Sequence, residues 1–349
     1  MATQELTRRD QCNACRSKEP MLLTCRRCKL VQYCSKECRK DDRPHHRSLC
    51  RKVKATRKQL VTEEQELRAA PADPYLHSIP GDVFEVQVGH FWGLFHTRPY
   101  IRARYAHIDT TLKIKSAVAV ERALDHCLDL HRLCRSDNMG LRFLTPHLLL
   151  RLCRDQEAYD FLCWYATRGP DYDWGNVDLP YLNIKGADVF EDVAIHIPRF
   201  PHLSHLVAVT LIKIRLLKDL QALQNSRIVL GNVPQEMKYL IQSQLVSPIV
   251  ANNFDIMRRG EHQGALILRI ESQIDRLYCA VNKANKHFWP TLLKPGDHLG
   301  ETPDYTCRGE ASEMQLTLQQ SYDGWNETPA AIDFIRKMRN MVDGDGLDA

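Results

Sequence analysis

The stretch CNACRSKEPMLLTCRRCKLVQYCSKECRKDDRPHHRSLC, residues 12–50, decides how the N-terminal part of this 349-residue chain folds. It holds seven of the 13 cysteines and resolves into four pairs of metal-ligand type: Cys12 with Cys15, Cys25 with Cys28, Cys34 with Cys38, and His46 with Cys50. The first two are CxxC knuckles, in which one tight turn aims two thiolates at the same ion at about 2.3 Å. The other two pairs are four residues apart, a step that keeps both side chains on one face of a helical turn. His45 stands beside His46, but the spacing to Cys50 selects His46. Eight ligands fill two tetrahedral zinc sites completely, and spacing alone allows sequential or interleaved pairing. A closed four-ligand site leaves no position for water or substrate, so both Zn2+ ions are expected to be structural. A segment this short builds too small an apolar core to fold unaided. Structural zinc supplies on the order of 10 to 16 kcal/mol of apparent folding free energy in comparable finger peptides.

The surroundings of this array limit what the whole chain does. Hydrophobic residues at 44% and charged residues at 26% are ordinary values for a globular protein. The opening MATQELTRRD lacks the apolar stretch of a secretory signal, and no run of about 18 apolar residues occurs, so an intracellular protein is expected, nuclear or cytoplasmic, neither secreted nor membrane-spanning. In a reducing compartment cysteines serve as thiols or metal ligands. Charge is uneven: the first sixty residues carry 17 Lys+Arg against 6 Asp+Glu, a balance of +11 within a chain total of +5, which leaves −6 for the rest. A basic head is compatible with an acidic protein partner or with nucleic acid, the latter not favoured.

Beyond the array the sequence is expected to be mainly α, as a bundle or an irregular helix-pair stack. RKVKATRKQLVTEEQELRAA (51–70) shows no strong apolar stripe and is expected as a solvated helical connector, ending in a linker at Pro71, Pro74, Pro80 and Gly81. The connector and linker together cover 51–79. A helical domain then spans 80–343, with a disordered tail at 344–349. Val120, Leu124, Cys127, His131 and Cys134 recur at helical steps and predict one stripe within 114–135. The cysteines and histidine on it read as core, since no fourth ligand stands nearby. Leu203 to Leu223 is apolar on more than one face, which predicts a buried central helix. Further helices are expected over 145–167, 233–259, 263–288, 312–324 and 329–341, with Thr145-Pro146 and Thr328-Pro329 as start signals. Residues 169–192 follow neither helical nor strand period and are expected as an ordered loop.

The order of the four pairs and the segment YCSKEC resemble the MYND finger family over about forty residues. The resemblance implies interleaved sites, with Cys12, Cys15, Cys34 and Cys38 on one zinc and Cys25, Cys28, His46 and Cys50 on the other. It also implies docking of short proline-containing peptides, which several members assist with a glutamine just after the sixth ligand and a tryptophan a few residues on. Those positions are Arg39 and Arg43 here. Without the aromatic wall, Arg39, Arg43 and Lys29 point to an acidic partner segment. CRSDNMGLR, DYDWGNVDLPYLNIKGADVFE, NKHFWPTLLKPGDHLG and SYDGWNETPAAIDFIRK are similar to fungal proteins that join a MYND finger to a long helical region.

Function follows as an expectation: a zinc-binding adaptor for protein–protein interaction, with no catalytic residues assigned. A transcriptional regulator using the basic head, or an enzyme seated in the helical region, are the alternatives. A SET methyltransferase is disfavoured, because only eleven residues precede Cys12 and no Asn-His pair occurs. Walker, GxSxG, HExxH and Rossmann motifs are absent from the sequence.

Overall fold

The computed structural model of the chain describes residues 8, 10–69, 82–230, 233–258, 260–300 and 303–345. Its only sheet among these residues is the antiparallel pair β1 (Leu23–Thr24) and β2 (Gln32–Tyr33), with Leu23 opposite Tyr33 and Thr24 opposite Gln32. Helix α1 (Lys36–Asp41) follows, capped by the Ser35 hydroxyl, which accepts from the Cys38 N–H at 3.1 Å. Helix α2 (Arg43–Ala69) then runs without a break from the last zinc-ligand pair through the segment expected as a solvated connector.

That expectation needs correcting. Cys50, Val53, Leu60 and Leu67 are buried along α2, at steps of three, seven and seven that hold them on one narrow stripe. The stripe packs chiefly against α3 (Arg98–Leu112), which in turn packs on α4 (Ala117–Leu133), followed by α5 (Leu141–Arg151). Four apolar positions spread over eighteen residues are sparse enough to be hidden by the charges between them. The linker expected over 71–79 lies outside the described residues.

Two compact units divide the described chain elsewhere than at the edge of the array. One comprises the described residues of Gln4–Leu152 with Tyr172–Tyr181, and the other those of Cys153–Asp171 and Leu182–Ala349.

In the first unit the core of the array is continuous with the helices. Leu30, Val31 and Tyr33 pack in one cluster with Val53 of α2, Ile114 and Ala119. Ser116 joins the two parts: its hydroxyl caps α4 by accepting from the Ala119 N–H at 3.2 Å and donates to the Leu30 carbonyl at 2.5 Å. Cys127 and His131 are core residues of α4, as their stripe predicts, and His131 Nε2 lies 3.0 Å from the Thr145 hydroxyl. Cys134 is the C-cap of that helix and is also buried. Part of the expected loop belongs to this unit, where the Tyr172 hydroxyl and the Leu179 carbonyl both accept from Arg135.

Thr145-Pro146 does not start a helix. Both residues lie inside α5, which begins at Leu141 because the buried Asp137 carboxylate accepts from the N–H groups of Leu141 and Arg142 at 2.8 Å each. A carboxylate on orphan N–H groups is a stronger start signal than proline. The helix expected over 145–167 is interrupted at Leu152–Arg154, with Cys153 in the left-handed region at φ 56°.

The second unit contains α6 (Asp155–Thr167), α7 (Leu203–Val229), α8 (Gln235–Leu245), α9 (Gly260–Ala284), α10 (Ala311–Glu327) and α11 (Ala331–Asp345). Helix α7 is the central helix that its apolar content predicts: Leu206, Val207, Ala208, Val209, Leu211, Ile212 and Ile214 are all fully buried, and α6, α8, α9, α10 and α11 pack around it. This is a bundle about a buried axis. Residues 182–192 form an ordered loop, held where Asp160 accepts from the Gly186 and Ala187 N–H groups and Lys213 donates to the Val189 and Glu191 carbonyls. Burial lowers the Lys213 ammonium to about 8. NKHFWP and SYDGWN supply Trp289 and Trp325, whose rings meet at 5.7 Å, with Tyr278 stacked on Trp289 at 5.3 Å.

The range 233–259 is broken into α8 and the short helices Pro248–Ala251 and Phe254–Arg258. Helix α11 begins at Ala331, not at Pro329. Pro329 and Ala330 form a turn with Ala330 at φ 57°, while the Thr328 hydroxyl closes the end of α10 by donating to Gly324 at 2.7 Å. The tail expected from residue 344 starts inside this helix, and its remainder lies outside the described residues. No helix among the described residues is long and apolar enough to cross a membrane.

Two outcomes test this packing. Leu60→Ala should lower the unfolding free energy of the first unit by roughly 2 to 5 kcal/mol, the cost of emptying a buried leucine site; a loss below about 1 kcal/mol in urea titrations would mean that α2 is solvated after all. His107 and His126 are held near 4, chiefly by burial and then by cations, Arg57 and Arg104 for His107 and Arg104 for His126. An imidazole whose folded pKa lies below its unfolded value of about 6.5 favours folding above that value. Stability should therefore fall as pH drops from about 6.5 toward 4, and His126→Gln, whose carbonyl can still accept from Arg104, should flatten that slope.

Candidate metal centre

Local backbone geometry brings the eight ligands together. Each CxxC knuckle closes with a backbone bond back to its first cysteine carbonyl, Arg16 N–H to Cys12 at 3.0 Å and Lys29 N–H to Cys25 at 2.9 Å. Both closing residues sit in the left-handed region, Arg16 at φ 63° and Lys29 at φ 62°, where glycine carries less strain. The first knuckle is fastened to β2 by Asn13, whose N–H donates to the Gln32 carbonyl at 2.8 Å while its side-chain oxygen accepts from the Gln32 N–H at 2.9 Å. This bond places Cys12 and Cys15 beside Cys34, which directly follows β2. The buried Tyr33 donates to Asp42 at 2.6 Å and fixes the turn from α1 into α2, so that His46 and Cys50 face the second knuckle from α2.

The ligand atoms gather into two sets: Cys12, Cys15, Cys34 and Cys38 in one, and Cys25, Cys28, His46 and Cys50 in the other, each set within 4.8 Å. Cys15 Sγ lies 3.5 Å from Cys34 Sγ, which lies 3.5 Å from Cys38 Sγ. In the other set Cys25 Sγ is 3.8 Å from Cys50 Sγ, and Cys28 Sγ is 3.4 Å from His46 Nε2. A tetrahedron with 2.3 Å metal–sulfur bonds has edges of about 3.8 Å, so these separations fit zinc. All thirteen cysteines are free thiols. The interleaved pairing is therefore the one adopted, and the sequential alternative left open by the spacing is not. No third cluster of this kind occurs among the described residues.

Crowding makes the thiols compete for charge. Cys15 is lowered to about 6 by hydrogen bonds from the Ser17 hydroxyl and N–H, while Cys38 is raised to about 12 by its neighbours Cys34 and Cys15. In the second set burial raises Cys25, yet N–H groups of Cys28 and Arg27 and the His46 ring bring it down to about 6; Cys28 goes up through burial and the charges of Cys25 and Cys50. Four thiols in the first set, and three beside the neutral His46 ring in the second, become anionic together only around a multiply charged cation, and both sites are compatible with structural zinc.

The same segment, residues 12–50, matches the MYND finger family. These residues form a MYND finger. No curated protein and no solved structure matches the chain. MYND fingers generally mediate protein–protein interaction.

Of the residues expected to meet a partner, Arg39 lies on α1 and Arg43 opens α2, and both are exposed. Lys29 is exposed at the end of the second knuckle and lies apart from them, on a cleft of about 540 Å³ whose lining includes Arg26, Gln32, Val118 and Arg122. Sequence reasoning missed the α4 side of this cleft, since nothing local ties Arg122 to a knuckle ninety-odd residues earlier. A second cleft of about 620 Å³ lies in the other unit, between the start of α6 and Ser247–Asp255. Its Asp155 carboxyl is raised by burial and is engaged by Arg215 at 2.7 Å, an ion pair within the bundle.

Interleaving has a direct test by native mass spectrometry. The double variant Cys12→Ala/Cys38→Ala damages a single interleaved site and should retain one zinc per chain, whereas sequential sites would both be damaged and would leave none. Acidification should release both ions as protons displace them from the thiolates.

Proposed function

We propose that the chain is an adaptor in which the zinc finger docks a partner segment and the metal ions do no chemistry. The observation that carries this reading is the completeness of both ligand sets: four protein donors converge on each position, which leaves no coordination site for water or substrate. The finger's contribution is then its shape and its surface charge. Arg39, Lys40 and Arg43 are exposed on α1 and the start of α2 and make no ion pair among the described residues, so they present unneutralised cations to an acidic segment. Family membership of residues 12–50 supports protein as the partner class, and the arginines at 39 and 43 argue against a proline-motif pocket walled by an aromatic ring. An enzymatic role has no supporting observation comparable to this one.

Arg39→Glu/Arg43→Glu should leave two zinc ions bound and abolish capture of protein partners by the full chain in affinity purification. Cys34→Ala, which opens one zinc site, should lose the same partners. Pull-down profiles unchanged in the charge-reversed variant would remove the α1 face from the docking surface.

A further inference from the structure

The cleft at Lys29 differs from the rest of the finger surface because the finger builds only one of its walls. The second knuckle and β2 supply Arg26, Lys29 and Gln32, and the first turns of α4 supply Val118, Glu121 and Arg122. Both walls belong to the same compact unit and share one apolar core, in which Leu30 and Val31 pack with Ala119 and partly buried Val118. The Ser116 hydroxyl, two residues before Val118, bonds the Leu30 carbonyl, next to Lys29, at 2.5 Å. The walls are thus fixed with respect to each other, and a ligand entering between them would meet little ordering cost.

Charge decides what would enter. Arg26 and Lys29 have no acidic partner among the described residues, and Arg122 meets Asp125 only at 3.8 Å between two well-exposed side chains, a contact worth little in water. The positive end of the α4 dipole adds to the same field. Glu121 is the one acid in the lining. The volume of about 540 Å³ falls within the range of roughly 300 to 1,000 Å³ that suits a few side chains rather than a duplex. Beside the three cations, Val118 and the Gln32 amide offer an apolar contact and a hydrogen-bonding group, which suits a polypeptide carrying spaced carboxylates.

We infer that this cleft is a docking site for an acidic, extended peptide segment of a partner protein, its carboxylates paired with Arg26, Lys29 and Arg122. This rests on the adaptor reading and adds to it a surface that the finger lacks without α4. The position of Lys29 supplies a clean variant. At φ 62° glycine is better tolerated than lysine, so Lys29→Gly removes a charge while easing the backbone.

The test uses the zinc-loaded full chain and fluorescence anisotropy with three labelled probes: an eight-residue peptide alternating Glu and Ala, its Gln-for-Glu analogue, and an eight-nucleotide oligothymidylate. The Glu peptide should bind at least tenfold more tightly than either other probe, and its affinity should fall with salt. Lys29→Gly/Arg122→Gln should weaken it at least tenfold with two zinc ions retained, and Arg39→Glu/Arg43→Glu should change it less than threefold. Equal binding of the Gln peptide or the oligonucleotide, undiminished binding by the cleft variant, or no binding of the Glu peptide at millimolar concentration would each overturn the proposal. Partner capture lost in Arg39→Glu/Arg43→Glu but kept in Lys29→Gly/Arg122→Gln would remove the cleft and leave the adaptor reading standing.

Discussion

Two closed sets of four ligands do for residues 12–50 what a hydrophobic core does for a larger domain. The segment has little to bury besides Leu30, Val31, Tyr33 and the cysteines themselves, and a core that small does not offset the conformational entropy of ordering about forty residues. Interleaving multiplies the effect of each ion, since the first site joins residue 12 to residue 38 and the second joins 25 to 50. Each cation therefore closes a loop that contains part of the other, so the two sites constrain an overlapping stretch of chain.

That constraint extends past the finger through α2. The helix carries the last two ligands, His46 and Cys50, and continues to Ala69 with Val53, Leu60 and Leu67 buried, so metal coordination sets the direction in which a 27-residue helix leaves the finger. The sulfur cluster and the helical core meet at Val53, Ile114 and Ala119. A bond from Ser116 to Leu30 closes the connection from the other side. The finger is consequently one end of a larger folded unit, and its surface includes groups from α4 that a free finger would not have.

The ligands were legible in the sequence because metal chemistry is local in its demands. Two cysteines share each knuckle and the later ligands stand four apart, so spacing alone names Cys12, Cys15, Cys25, Cys28, Cys34, Cys38, His46 and Cys50. Only His46 and Cys50 lie together on a helix, however, Cys34 standing before the extended cap Ser35 of α1. Which pairs share an ion was not legible from spacing, since it depends on Asn13 bonding β2 across nineteen residues. The buried axis of α7 was readable from its all-round apolar content. The stripe on α2 was missed because Val53, Leu60 and Leu67, the only members beyond the ligand Cys50, define a face among many charges only once α3 is in place. The Thr-Pro starts failed where a stronger signal lay a few residues away, Asp137 for α5 and the left-handed turn at Ala330 for α11.

Arg16 and Lys29 show how the finger separates what the metal needs from what a partner would meet. Both knuckles require a left-handed residue so that its N–H can reach the first cysteine carbonyl, a geometry that costs a side-chain-bearing residue on the order of 1 kcal/mol. Glycine would satisfy the turn more cheaply at either position. The chain carries a cation at both, and neither side chain is a zinc ligand. At Lys29 the charge projects beside Arg26 onto the cleft shared with α4. The left-handed turn at Lys29 thus carries a charge to that cleft at a backbone cost that a glycine there would avoid.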